Sequence, residues 1–143
     1  MEAVTLDTNV FVNVKNEERP FFEHSKKLLD LIDDGKLKAI VPSLVIAEMC
    51  VGYLLHEDEE GMRAFVFHIA GSPHYRVVQV DLEVAVLGAR IRAETGARLP
   101  DALIAASAVV GGAEALVTHD EEMKKVSKFV RVLTAEEALA LLG

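Results

Sequence analysis

Val4-Thr5-Leu6-Asp7-Thr8-Asn9-Val10-Phe11 is the stretch whose reading decides the fold. A β-prone apolar run stops there at a carboxylate and two small polar residues, as a strand does when it ends at the rim of a sheet. Residues 2–6 read as the first strand of a parallel sheet that delivers Asp7 to the sheet's carboxyl edge. Open α/β sheets place ligands at that edge, because strand ends and helix starts leave a crevice between them. An Asp before a helix is also a good N-cap, since its side chain accepts from the first free N–H groups. Capping alone accounts for Asp7 unless the same sheet brings other carboxylates to the same edge.

Working outward, strand-like and helix-like segments alternate along the chain. Residues 21–34 repeat apolar positions at helical spacing and stop at Gly35. Lys36 to Val41 gives a short strand closed by Pro42-Ser43, and Ser43 is placed to cap a helix running to about His56. That helix, Leu44-Val45-Ile46-Ala47-Glu48-Met49-Cys50-Val51, is apolar on nearly every side except at Glu48. A carboxylate among such neighbours is expected to be paired or to coordinate a metal, because losing its hydration costs several kcal/mol. Residues 57–70 form a further helix with a solvated acidic start.

Tyr75-Arg76-Val77-Val78-Gln79-Val80 reads as a strand, with Asp81 as N-cap of a helix over 82–94 that Thr95-Gly96 closes. Leu99-Pro100-Asp101-Ala102-Leu103-Ile104-Ala105-Ala106 opens a mostly apolar helix, with proline in its favoured first turn. Gly111-Gly112 ends it. Glu114 to Thr118 is a strand that carries His119 and Asp120 to its end. A short helix over 121–128, a last strand over 129–133 and a Thr134-Ala135-Glu136-Glu137 capping box complete the chain. Strands alternating with helices imply an α/β fold: a three-layer arrangement with a four- to five-stranded parallel sheet and helices on both faces. The strands at 2–6 and 114–118 are expected at its centre.

Composition narrows the chemistry. The 143 residues, 51% of them hydrophobic, suit one domain spanning 1–143. No window resembles a membrane span or a signal segment, so the chain reads as a soluble cytoplasmic protein. One cysteine, Cys50, excludes an internal disulfide and a cysteine-based zinc cluster, and reads as a small core residue. There is no Gly-rich phosphate loop, no His-Glu-x-x-His and no Gly-x-Ser-x-Gly. The formal net charge of −8 argues against broad charge-driven binding of nucleic acid. It is compatible with a local site, since acidic residues that gather metal ions create a cationic spot once loaded.

In a parallel sheet all carboxyl ends point one way, so Asp7 and Asp120 share an edge. The helices bearing Glu48 and Asp101 start at that same edge. Two carboxylates about 5 Å apart repel by about 3 kcal/mol at an effective dielectric of 20, so such a cluster calls for counter-charge. No Lys or Arg adjoins Asp7, Glu48 or Asp120 in sequence, and an all-oxygen donor set suits Mg²⁺ or Mn²⁺. Carboxylate-held Mg²⁺ works mainly on phosphates, which points to phosphodiester hydrolysis with one ion or two.

Leu6-Asp7-Thr8-Asn9, Ser43 to Glu48, Leu99 to Ala106 and Leu116-Val117-Thr118-His119-Asp120 resemble, in this order, the four signature segments of PIN-domain nucleases. The Leu-Pro-Asp-Ala segment is most similar to VapC-type toxins of prokaryotic toxin–antitoxin pairs. The resemblance implies a metal-dependent ribonuclease with Asp7, Glu48, Asp101 and Asp120 as catalytic, metal-holding acids. It implies support from Thr8, Asn9 and Thr118 through hydrogen bonds. It further implies a homodimer, a small VapB-like antitoxin partner, and structured RNA such as transfer RNA as substrate. His119 departs from the pattern, standing where a small polar residue is more usual. Arg98 and the group Lys124, Lys125, Lys128 and Arg131 are the candidate RNA-phosphate contacts. Two other readings stay open: a PIN-like domain that binds RNA or a partner without cutting, and a Mg²⁺-dependent phosphoacceptor domain with Asp81 as acceptor.

Overall fold

The opening strand, β1 (Ala3–Leu6), lies at the centre of a five-stranded, all-parallel sheet. Its companions are β2 (Lys38–Pro42), β3 (Tyr75–Val78), β4 (Ala115–Val117) and β5 (Val132–Leu133), in the order β3-β2-β1-β4-β5. The computed structural model describes all residues, Met1–Gly143. Thr5 stands opposite Ile40 on one side and Leu116 on the other, so β1 and β4 end level with each other. The Asp7 N–H extends the ladder by one rung, to the Val117 carbonyl at 2.9 Å.

Seven α-helices flank the sheet: α1 (Thr8–Lys15), α2 (Phe22–Asp33), α3 (Ser43–Leu55), α4 (Glu59–Gly71), α5 (Leu82–Thr95), α6 (Leu99–Gly111) and α7 (Ala135–Leu142), with a 3-10 helix over Glu121–Val126. Helices α5 and α6 pack on each other, α6 reaching β2 and β4, while α1, α2 and α7 lie side by side. Val4, Leu6, Val41, Leu116 and Val117 are wholly buried. Such near-continuous apolar strands are what a parallel sheet covered on both faces requires. The buried hydrophobic residues form one cluster. No helix is long and apolar enough to cross a membrane.

Local chemistry explains most boundaries. Asp7, Asp58 and Asp81 cap α1, α4 and α5 with their carboxylates, and Thr134 with Glu137 forms the expected capping box of α7. Gly96 and Gly112 end α5 and α6 at φ of 75° and 79°, where a Cβ would be strained. Four expectations are corrected. Ser43 is not a cap: Pro42, at φ −60° and ψ 138°, closes β2 and is itself the N-cap of α3, without a side-chain bond. The turn from strand to helix is so direct that Ser43 is already helical. Strand β3 stops at Val78, because Gln79 and Val80 are exposed and lead the chain to the Asp81 cap. Strand β5 is only two residues long, and Cys50 is half-buried instead of lying in the core.

Candidate functional site

Asp7 leaves β1 in extended backbone, at φ −72° and ψ 160°, and turns its carboxylate back on its surroundings. Oδ1 accepts from the Thr8 N–H at 2.8 Å. Oδ2 accepts from the Thr118 hydroxyl at 2.7 Å and from the Asn9 amide at 3.2 Å. None of these donors is charged, and Asp7 is only 6% exposed. Burial therefore pushes its pKa from 3.8 up to about 6; the Thr118 hydroxyl and Thr8 N–H oppose the rise, and nearby Asp101 and Glu48 add to it. Asp7 thus caps α1 and also lies within the field of two other carboxylates.

Asn9 stitches the ends of β1 and β4 together. Its amide also donates to the Thr118 hydroxyl at 2.9 Å, and its carbonyl accepts from the His119 N–H at 3.0 Å. The Thr118 hydroxyl in turn accepts from the Asp120 N–H at 3.1 Å. Thr8 reaches the other way, its hydroxyl donating to Glu48 Oε1 at 2.7 Å. A continuous hydrogen-bonded path thus runs Glu48–Thr8–Asp7–Thr118–Asp120.

Asp101 lies in the first turn of α6, just after Pro100, and is buried at 8% exposure. Arg98 Nε donates to its Oδ2 at 3.3 Å. Asp120 caps the 3-10 helix, accepting from the Glu122 N–H at 3.0 Å. Asp101 and Asp120 line one cavity of about 230 Å³ together with Arg98, Lys125 and Glu122. All four acids of the sequence reading are thus at the carboxyl edge, but Glu48 corrects the argument made for it. It is exposed, on the outward side of α3, and not a buried carboxylate in need of a partner. No three His, Cys, Asp or Glu side chains stand in an arrangement that could hold an ion as they are.

His119 is fully engaged elsewhere. Its Nε2 accepts from the Ala135 N–H at 3.2 Å, so the hydrogen is assigned to Nδ1, which donates to Asn13 Oδ1 at 2.7 Å. The ring stacks on Phe21 at 4.4 Å, and burial holds its pKa below the ordinary imidazole value. A neutral ring with both nitrogens occupied has no lone pair for a metal. Asn13, missed in the sequence, is the hub: buried in α1, it also accepts from Ser25 and donates to Glu18 at 2.9 Å. Its signal was a lone amide among Val10, Phe11 and Val14.

The cations divide. Lys124 pairs with Glu121 at 2.7 Å and lines a second, smaller hollow that Asp120 also borders, and Lys128 pairs with Glu94 at 3.0 Å. Lys125 pairs with Glu122 at 2.6 Å and lines the cavity of Asp101 and Asp120, as Arg98 does. Asp81 caps α5 through the Val84 N–H at 3.0 Å.

The sequence model of the PIN domain family matches residues 4–129. The chain belongs to the PIN domain family. Solved structures with the same fold include DNA-bound VapBC from Salmonella typhimurium, 22% identical over 94% of this chain and 99% of that one, at a TM-score of 0.71. VapBC2 from Rickettsia felis bound to a promoter DNA fragment is 18% identical over 92% and 98%, at 0.70. A toxin–antitoxin complex from Klebsiella pneumoniae is 19% identical over 92% and 97%, at 0.69. No curated protein sequence matches. Within this PIN domain the matched segment takes in all of β1 but Ala3, the four carboxylates and the Thr8–Asn9–Thr118 network, and ends before α7.

Proposed function

We propose that this PIN domain is a Mg²⁺- or Mn²⁺-dependent endoribonuclease, the toxin of a toxin–antitoxin pair, with Asp7, Glu48, Asp101 and Asp120 as its acids. The observation that carries the reading is the hydrogen-bonded path linking Glu48, Asp7 and Asp120 through Thr8 and Thr118. It joins three acids distant in sequence, and the fourth, Asp101, adds its field to Asp7. PIN domains are in general nucleases that use divalent metals, and the structural neighbours are toxin–antitoxin complexes.

In its chemistry, though not in its present spacing, the donor set suits a hard divalent cation. It is all oxygen, and no protein cation pairs with Asp7 or Glu48. Bound there, the ion supplies a Lewis acid for a phosphodiester and a water of lowered pKa. The chain's own residues do the rest. Thr118, Asn9 and the Thr8 N–H fix the Asp7 carboxylate, and Thr118 and the Thr8 N–H favour its ionised form. Thr8 orients Glu48 on the solvent side, where an RNA strand arrives, and Arg98 and Lys125 offer positive charge on the side of Asp101.

The same reading makes the chain a single cytoplasmic nuclease domain that acts as a homodimer, is held in check by a small VapB-like antitoxin, and cuts structured RNA such as transfer RNA. The deciding experiment incubates purified, antitoxin-free protein with a mixed RNA pool, with EDTA, Mg²⁺ or Mn²⁺. Cleavage is expected only with metal, and Asp7→Asn is expected to abolish it at matched folding. Metal-independent cleavage, or an active Asp7→Asn variant, overturns the assignment; RNA binding without cleavage would make the domain a binding module.

A further inference from the structure

Arg98 stands out because it is the one cation that touches a member of the acidic quartet. Its side chain is 77% exposed, whereas that of Asp101 is 12% exposed, so a solvent-facing guanidinium leans onto a buried carboxylate. The contact is single, Nε to Oδ2 at 3.3 Å, leaving the guanidinium's Nη groups free for another acceptor. Beside it opens the 230 Å³ cavity lined by Asp101, Asp120, Arg98, Lys125 and Glu122.

We infer that Arg98 is a displaceable counter-cation: it neutralises Asp101 until a divalent metal claims that carboxylate, and then holds a phosphate of the RNA in the adjoining cavity. The inference rests on the metal-site reading above. Asp101, buried beside the uncompensated Asp7, gains from positive charge, and a one-point, exposed ion pair is weak enough to give way to a divalent ion. A guanidinium turned away from Asp101 still lies within the cavity wall, where its planar fork matches a phosphate. Lys125 lines the same cavity, so a phosphate there meets two cations. Metal and RNA binding are then coupled through one side chain: each metal loaded frees an RNA contact.

The test compares wild type, R98Q and R98K by Mn²⁺ titration, reading free Mn²⁺ by electron paramagnetic resonance, with thermal melts to confirm folding. Removing a competing cation is expected to tighten Mn²⁺ binding about three-fold in R98Q, and R98K, which keeps the charge, is expected to stay near wild type. In RNA cleavage assays the salt dependence of kcat/KM for R98Q should flatten by about one phosphate contact. Equal Mn²⁺ affinity in wild type and R98Q overturns the inference. Wild type that binds no Mn²⁺ overturns the metal-site reading itself, so the two failures are distinguishable.

Discussion

At the scale of the residue, Asp7 combines burial with three uncharged donors, and the balance leaves its pKa near 6. A carboxyl whose folded pKa lies above its unfolded value of 3.8 binds protons more tightly in the fold. Its contribution to stability is complete below pH 4 and is lost as pH rises through 6. A shift of that size corresponds to about 2–3 kcal/mol between pH 4 and pH 7. Asp7→Asn, which cannot ionise, is expected to melt higher than wild type near pH 7.5 without metal. It should also lose the part of the stability profile that falls between pH 4 and 6, and to lose RNA cleavage by 100-fold or more. Thermal melts across that range, set against cleavage rates, check the pairing of greater stability with lost activity. Thr118→Val removes a donor to the ionised form, so the acid limb of the cleavage profile should move to higher pH.

At the scale of the element, helix starts were legible because capping is local chemistry. Asp81→Ala is expected to cost about 1 kcal/mol by urea melt, since it unbinds the first turn of α5, and to leave RNA cleavage unchanged. Loss of cleavage in that variant would place Asp81 in the site. What was not legible depends on tertiary contact. The apolar run of α3 suggested that Glu48 is buried, but the helix lies at the rim of the sheet and turns that position to solvent, toward Thr8 alone. Ser43 was read as a cap from residue type, whereas the extended backbone of Pro42 settled where α3 begins. The pairing of Arg98 with Asp101 was hinted at by a spacing of three. The fixed tautomer of His119 was not, because its partners Asn13 and Ala135 are 106 and 16 residues away.

At the scale of the whole molecule, the order of apolar strand, acid and helix was enough to place Asp7 and Asp120 at the ends of adjacent strands. Parallel pairing leaves the chain little choice. With a formal charge of −8 and four acids at one edge, the protein is predicted to gain stability from millimolar Mg²⁺ or Mn²⁺, seen as a rise in melting temperature that Asp7→Asn lacks. An equal shift in both proteins would move the ion's location away from Asp7.

Helix α7 lies past residue 129, where the family match ends, yet its first N–H is bonded to the ring of His119, one residue before Asp120. The tail is thereby a doorstop for the loop that presents Asp120. A chain trimmed after Leu133 would keep Asp7, Glu48, Asp101, Asp120 and every strand, but the imidazole would swing free on that side. Such a trimmed protein is predicted to bind Mn²⁺ more loosely than the full chain in a metal titration, and tags fused close behind Gly143 should be chosen to leave this latch undisturbed.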